Sequence, residues 1–187
     1  MSYLRGFLPW IAFSVLSSLV GWQWGALAAL AVTTHSLWRD RRAGIEVGAQ
    51  ILDLGGAVFF LVLTVLAFTS PHSPLEAYDG PLSSAWLAVI AVLGLAVGRP
   101  FTLAIARRSV PDEVARHPMF LRFNTVVTGF WAAGFGTAAV LGVVCVATGE
   151  PEIVRLAVQV AAFVVPAVLT RRYVARARAE RAVPVAA

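Results

Sequence analysis

Lysine is missing altogether from the 187 residues, and all fifteen basic side chains are arginine. Without a lysine amine no Schiff base can form, so retinal-type pigments and lysine-based covalent catalysis are excluded. Cysteine is nearly absent too: Cys145 stands alone, which rules out an intrachain disulfide and a thiolate metal cage. Within LGVVCVATG it reads as a small buried hydrophobe. Charged residues make up only 13% of the chain, too few for an ordinary soluble domain. The histidines His35, His72 and His117 lack the spacing of a metal motif. Bis-histidine haem ligation needs two imidazoles facing each other, and only His35 falls in an apolar run. Neither a metal nor a cofactor is therefore expected.

What fills the chain is apolar: 59% of residues are hydrophobic and the mean hydropathy is +0.78. The apolar runs are continuous rather than alternating, so they spell helices and not barrel strands. Residues 7–38 are too long for one crossing, which takes about 20 helical residues. Gly21-Trp22-Gln23-Trp24-Gly25 breaks the run with two flexible glycines and two interface-seeking tryptophans. Spans are expected at residues 4–20, 22–38, 44–68, 82–97, 124–146 and 153–170. A cleaved signal peptide would mimic the first run, but the sequence continues directly into a second span.

The connections alternate in charge. Arg39-Asp40-Arg41-Arg42, residues 98–123 and the tail from Arg171 onward are basic, whereas SPHSPLEAYDGP and Thr148-Gly149-Glu150-Pro151-Glu152 are acidic and free of arginine. The positive-inside rule places the basic segments in the cytoplasm. The expected architecture is an all-α polytopic membrane protein, a six-transmembrane-helix bundle with N and C termini cytoplasmic. It comprises one domain over residues 1–175 and a basic, flexible tail over 176–187. Every arginine but Arg155 then lies at the cytoplasmic side. The net charge of +5 reflects this topology and attraction to anionic lipid head groups, not nucleic acid.

The longest polar connection, GRPFTLAIARRSVPDEVARHPMFLRF, is a basic amphipathic loop between spans 4 and 5. Pro100 suits the first turn of a helix. The following FTLAIA segment would lie along the membrane surface, with Arg107 and Arg108 reaching the head groups. Pro111-Asp112-Glu113 looks like a fresh helix start, and Pro118 breaks it before Met119-Phe120-Leu121 re-enters the membrane. Arg99, Arg107, Arg108, Arg116 and Arg122 are the candidate contacts to lipid or to a partner protein.

Polar residues inside the runs are few. Asp53 lies nine residues into the expected third span, roughly 14 Å of helix rise and so near mid-membrane. A carboxylate at that depth is a functional candidate, or else a neutral or arginine-paired packing residue. Gln50 shares its face, and Gly55 and Gly56 would admit a neighbouring helix. Asn124 and Thr128 share another face, and with Asp53, Gln50 and His35 they would line a polar cleft open to the cytoplasm or act as interhelical glue. Glu46 belongs with Arg41 and Arg42 at the interface. Gly21-x-x-x-Gly25, Gly44-x-x-x-Gly48 and Gly94-x-x-x-Gly98 match the small-residue packing pattern. No serine has a plausible base, so nothing specifies a hydrolase.

The order of short features resembles the intracellular septation protein A family. Phe7-Leu8-Pro9 is followed by a tight hairpin, a basic turn before a Glu-bearing third span, and Arg99-Pro100. A Pro-containing cytoplasmic loop and a span carrying Asn124, Trp131 and Phe135 complete the series. The longer, more basic loop marks a distant, actinobacterial-type relative. The resemblance implies a bacterial inner (cytoplasmic) membrane protein tied to cell division, septation and envelope integrity, with no catalytic activity. Expected partners are the bilayer, anionic head groups, division or envelope proteins, and further copies of the chain. The alternative is a small proton-coupled transporter, channel or lipid-handling protein working through the cleft around Asp53. A membrane enzyme acting on a lipid-linked substrate has only the basic loop in its favour.

Overall fold

The computed structural model describes residues 2–45, 50–107 and 110–182, and these form helices joined by short turns, with no strand among them. The helices are α1 (Ser2–Val20), α2 (Trp22–Arg42), α3 (Ile51–Thr69), α4 (Asp79–Ala96), α5 (Phe101–Arg107), α6 (Asp112–Ala115), α7 (Pro118–Ala147) and α8 (Glu152–Ala182), with a 3₁₀ turn over Pro74–Tyr78 before α4. Four segments are long and apolar enough to cross a membrane: Ile51–Thr69, Pro74–Ala96, Pro118–Ala147 and Glu152–Ala177. That is the pattern of a multi-pass membrane protein. In α1 only Gly6–Val20 is comparably apolar. In α2, Gln23, Thr33, Thr34, His35 and Ser36 dilute the hydropathy before the arginines begin.

The burial pattern agrees with lipid as the surrounding solvent. Val58, Leu61, Val62 and Val65 of α3 and Val160, Val164 and Val165 of α8 all face outward, more than half exposed. The polar Thr33, Ser83, Ser84, Thr102, Asn124 and Thr128 are sealed inside. Water would select the reverse; hydrocarbon tolerates apolar surface and drives polar groups to find partners within the bundle.

Aromatic rings hold the centre. Phe7, Trp10 and Phe13 recur every three residues and so face one way from α1, and all three are buried. Phe7 stacks on Trp131 of α7 at 4.7 Å and meets Phe163 of α8 at 5.4 Å and Phe101 of α5 at 6.1 Å. Trp10 and Phe13 pack on Phe60 of α3 at 4.7 and 5.5 Å. One face of the first helix thus gathers α3, α5, α7 and α8.

Among the long helices α1 packs along α2, α2 along α3 and α7 along α8, while α4 lies along α7. Three glycines permit these close approaches. A Cβ at Gly55 would come within 2.5 Å of Ile90 on α4, one at Gly134 within 2.5 Å of Pro166 on α8, and one at Gly142 within 2.7 Å of Pro81. Of the glycine pair at 55 and 56, legible as a packing site, Gly55 is the close approach; the G-x-x-x-G matches fare differently, and Gly48 of one of them lies outside the described residues. Gly21, Gly44 and Gly98 have φ of 96°, 70° and 68°, a left-handed conformation that suits glycine at helix ends. Gly25, by contrast, does let α2 press on Ser17 of α1.

Several boundaries depart from the sequence expectation. The third helix starts at Ile51, after the Gly44 turn, rather than at residue 44. The fifth long helix starts at Pro118, with His117 as its N-cap accepting a hydrogen bond from Met119 N at 3.2 Å, because proline fits the first helical turn better than any later one. At 30 residues, α7 is about 45 Å long, well beyond a hydrocarbon core of about 30 Å. The eighth helix runs on through Arg171 and Arg176 to Ala182, because a tail of alanine and arginine favours helix. The helical part of the expected tail is therefore residues 176–182; residues 183–187 lie outside the described residues, as do Glu46 and Arg108.

Candidate functional site

Chain direction sorts charge to opposite ends of the bundle. The end of α2, the connection from α4 to α7 and the end of α8 share one pole, and there Arg41, Arg42, Arg99, Arg107, Arg116, Arg122, Arg171, Arg172 and Arg176 are all exposed. Arg42 lies over the Trp38 ring at 4.1 Å, a cation–π contact suited to an interface, and Arg39 pairs with the buried Asp40 at 3.8 Å. The expected surface-lying segment after Pro100 is instead partly inserted. In α5, Phe101, Thr102 and Leu103 are buried against α7 and α1 while Arg107 stays outside. Beside it, Val114, Met119, Phe120, Phe123 and Val174 border an apolar groove of about 620 Å³, with Glu113 and His117 at its edge. Stacking of Tyr173 on Phe123 at 4.8 Å fastens the extension of α8 to α7 there.

The five residues expected to form one polar cleft come from α2 (His35), the start of α3 (Gln50, Asp53) and α7 (Asn124, Thr128). Asn124 and Thr128 do come together, on Thr102: the Thr102 hydroxyl donates to Asn124 O at 3.0 Å and lies 2.7 Å from Thr128 Oγ1. The Asn124 amide donates back to Phe120 O at 2.8 Å. This fully buried group ties α5 to α7, which is the interhelical role. Gln50 is buried at the N-cap of α3 and donates to Ile45 O at 3.1 Å. Asp53 falls in the first turn of α3, near the positive end of the helix dipole. His35 is exposed and tilts over Trp38 at 5.9 Å.

A feature that sequence reading passed over lies at the opposite pole. A cavity of about 470 Å³ is bounded by α1 (Phe13, Ser17), the 3₁₀ turn (Glu76), α4 (Asp79), α7 (Ala138) and α8 (Glu152, Arg155, Gln159). Asp79 opens α4, and its carboxylate accepts from Gly80 N. Arg155 is within electrostatic range of it. Ser17 Oγ sits beside the same carboxylate without satisfying hydrogen-bond geometry, and both it and Arg155 Nε are buried with no partner. Gln159 accepts from Ser84 at 3.0 Å, joining α8 to α4. The loop before α4 is held by Trp22 and Gln23, which donate to Pro71 O at 3.2 and 3.4 Å. Arg155 was the available signal: it is the one arginine that the charge alternation leaves on the acidic side.

Among the described residues no group of histidine, cysteine or carboxylate side chains converges as a metal site. No family model, curated protein or solved structure matches the chain.

Proposed function

We propose that this chain is a non-enzymatic protein of the bacterial inner membrane that supports envelope or septation machinery. It crosses the membrane six times, through α1, α2, α3, α4, α7 and α8, with both termini and the arginine pole in the cytoplasm. The observation that carries this reading is the arginine pole itself: exposed Arg99, Arg107, Arg116 and Arg122 beside an apolar groove. Exposed guanidinium groups at the membrane surface attract anionic head groups, each by about 1 kcal/mol, and an adjacent apolar groove suits a partner helix or acyl chain. The resemblance to the septation family supplies the cellular context. The opposed charge of the two poles supports the orientation.

The transporter, channel or lipid-handling reading around Asp53 draws less support. Its intended residues come from the start of α3, the outer face of α2 and the joint between α5 and α7, and of these Asn124 and Thr128 meet on Thr102.

The test is native mass spectrometry of the protein extracted in mild detergent from its own cells, alongside a variant with Arg107, Arg108, Arg116 and Arg122 all changed to Gln. A stoichiometric protein partner or defined homo-oligomer that disappears in the variant is expected. A wild-type monomer with no protein partner, or an assembly indifferent to the four changes, would overturn the proposal.

A further inference from the structure

We propose that the cavity at the acidic pole is a binding site for a zwitterion, an ammonium group joined by a short linker to a phosphate or carboxylate. The lining chemistry narrows the choice. Three carboxylates, Glu76, Asp79 and Glu152, face one guanidinium, Arg155, around about 470 Å³ of space. That volume is within the usual range of small-molecule sites, about 300–1,000 Å³. A simple anion would meet three like charges and a simple cation would meet Arg155. The carboxylates do not converge as a metal site among the described residues, so a bare divalent ion is a poor fit as well. A molecule carrying both charges satisfies both poles of the cavity, with its ammonium toward Asp79 and its acid toward Arg155.

Unmet hydrogen-bonding capacity is an independent pointer to a ligand. Ser17 Oγ and Arg155 Nε are buried at this cavity with no partner. A buried polar group left unmade is costly; among the described residues five side chains carry one, and this cavity is lined by two of them, Ser17 and Arg155, the others being Gln50, Trp131 and Thr170. A phosphate or carboxylate oxygen would accept from Arg155, and an ammonium would donate to Ser17 and Asp79. Phe13, Leu156 and Val158 supply an apolar wall beside these groups, and Leu156 is also exposed on the outer surface of α8. A lipid could therefore seat its head group within while its chains lie along α8, and a free zwitterion could enter from the acidic face. The two sources share one recognition chemistry.

The experiment uses the full chain, delipidated in detergent, with thermal unfolding and native mass spectrometry as readouts. Its probes are phosphatidylethanolamine, phosphatidylglycerol and free phosphoethanolamine. Phosphatidylethanolamine is expected to bind and stabilise with at least about tenfold preference over phosphatidylglycerol, and Asp79→Asn or Arg155→Gln should abolish that preference. Binding of phosphoethanolamine without a preference for its lipid would support the site and assign it to a free zwitterion. Glu152 is exposed, so Glu152→Gln keeps the test decisive if the buried variants do not fold; it should weaken binding about threefold, while Val140→Ala on the outer face of α7 leaves it unchanged. Equal affinity for the two lipids without binding of phosphoethanolamine, failure of both ethanolamine probes to bind, or a preference that survives in folded variants would overturn the proposal.

Discussion

At one pole of the bundle Arg99, Arg107, Arg116 and Arg122 stand out from the surface, whereas at the other Asp79 and Arg155 are drawn in between α1, α4 and α8. The two arrangements use charge differently. Exposed guanidinium groups interact with a whole surface, and that attraction is additive and screened by salt. Charges lining a cavity act on whatever enters it, where screening is weaker and geometry matters more. The poles should therefore respond to different perturbations, salt and lipid charge at the first and ligand shape at the second.

The largest effect should come from breaking what the two poles share. Phe7 stacks on Trp131 and touches Phe101 and Phe163, so Phe7→Ala should lower stability by about 3–5 kcal/mol. Unfolding in detergent, followed by circular dichroism, should show both poles loosening together. If only one does, the aromatic centre is not the common support described here.

Next in size is the arginine pole. Changing Arg107, Arg116 and Arg122 to Gln should remove about 3 kcal/mol of attraction to anionic vesicles, roughly a hundredfold in affinity, without altering unfolding. Flotation with vesicles containing phosphatidylglycerol, at low and high salt, measures it. A loss of binding that salt does not reproduce would mean that these residues act by shape rather than by charge.

The buried joint between α5 and α7 should respond less. Thr102→Val removes the bond to Asn124 O and the contact with Thr128, at a cost of about 1 kcal/mol. It should loosen the arginine pole while leaving the acidic cavity intact, as read by hydrogen exchange at each. The smallest effect is expected at Asp53. A non-enzymatic role makes no use of its carboxylate chemistry, so Asp53→Asn should leave growth and division unchanged in cells that depend on the protein. A division defect with normal abundance would return attention to the cleft reading.

Helical class, the tight hairpin at Gly21 and the segregation of arginine from acid were legible because each follows from composition and local pattern. The start of α3 was not. An apolar run shows where hydrocarbon is tolerated but not where a helix begins, and the positive φ of Gly44, which turns the chain, has no sequence signature beyond glycine itself. That single offset puts Asp53 in the first turn of α3 rather than nine residues into a helix. The joint of Thr102, Asn124 and Thr128 was half legible: the spacing of Asn124 and Thr128 gave a shared face, but their partner lies 22 residues or more away on α5. The acidic cavity was not legible as a unit, since its lining comes from six segments, α2 contributing Trp22, that meet only in the folded chain. Arg155 alone carried a trace of it.

Orientation underlies the whole comparison, and impermeant thiol labelling tests it directly. With Cys145→Ser as background, single cysteines would replace Glu76 and Glu150 at the acidic pole and Arg107 and Arg171 at the arginine pole, all exposed positions. In intact spheroplasts, labelling at positions 76 and 150 only, with 107 and 171 reacting after lysis, is the expected result. Labelling of 107 and 171 from outside would contradict it and put the zwitterion site, not the arginines, in the cytoplasm.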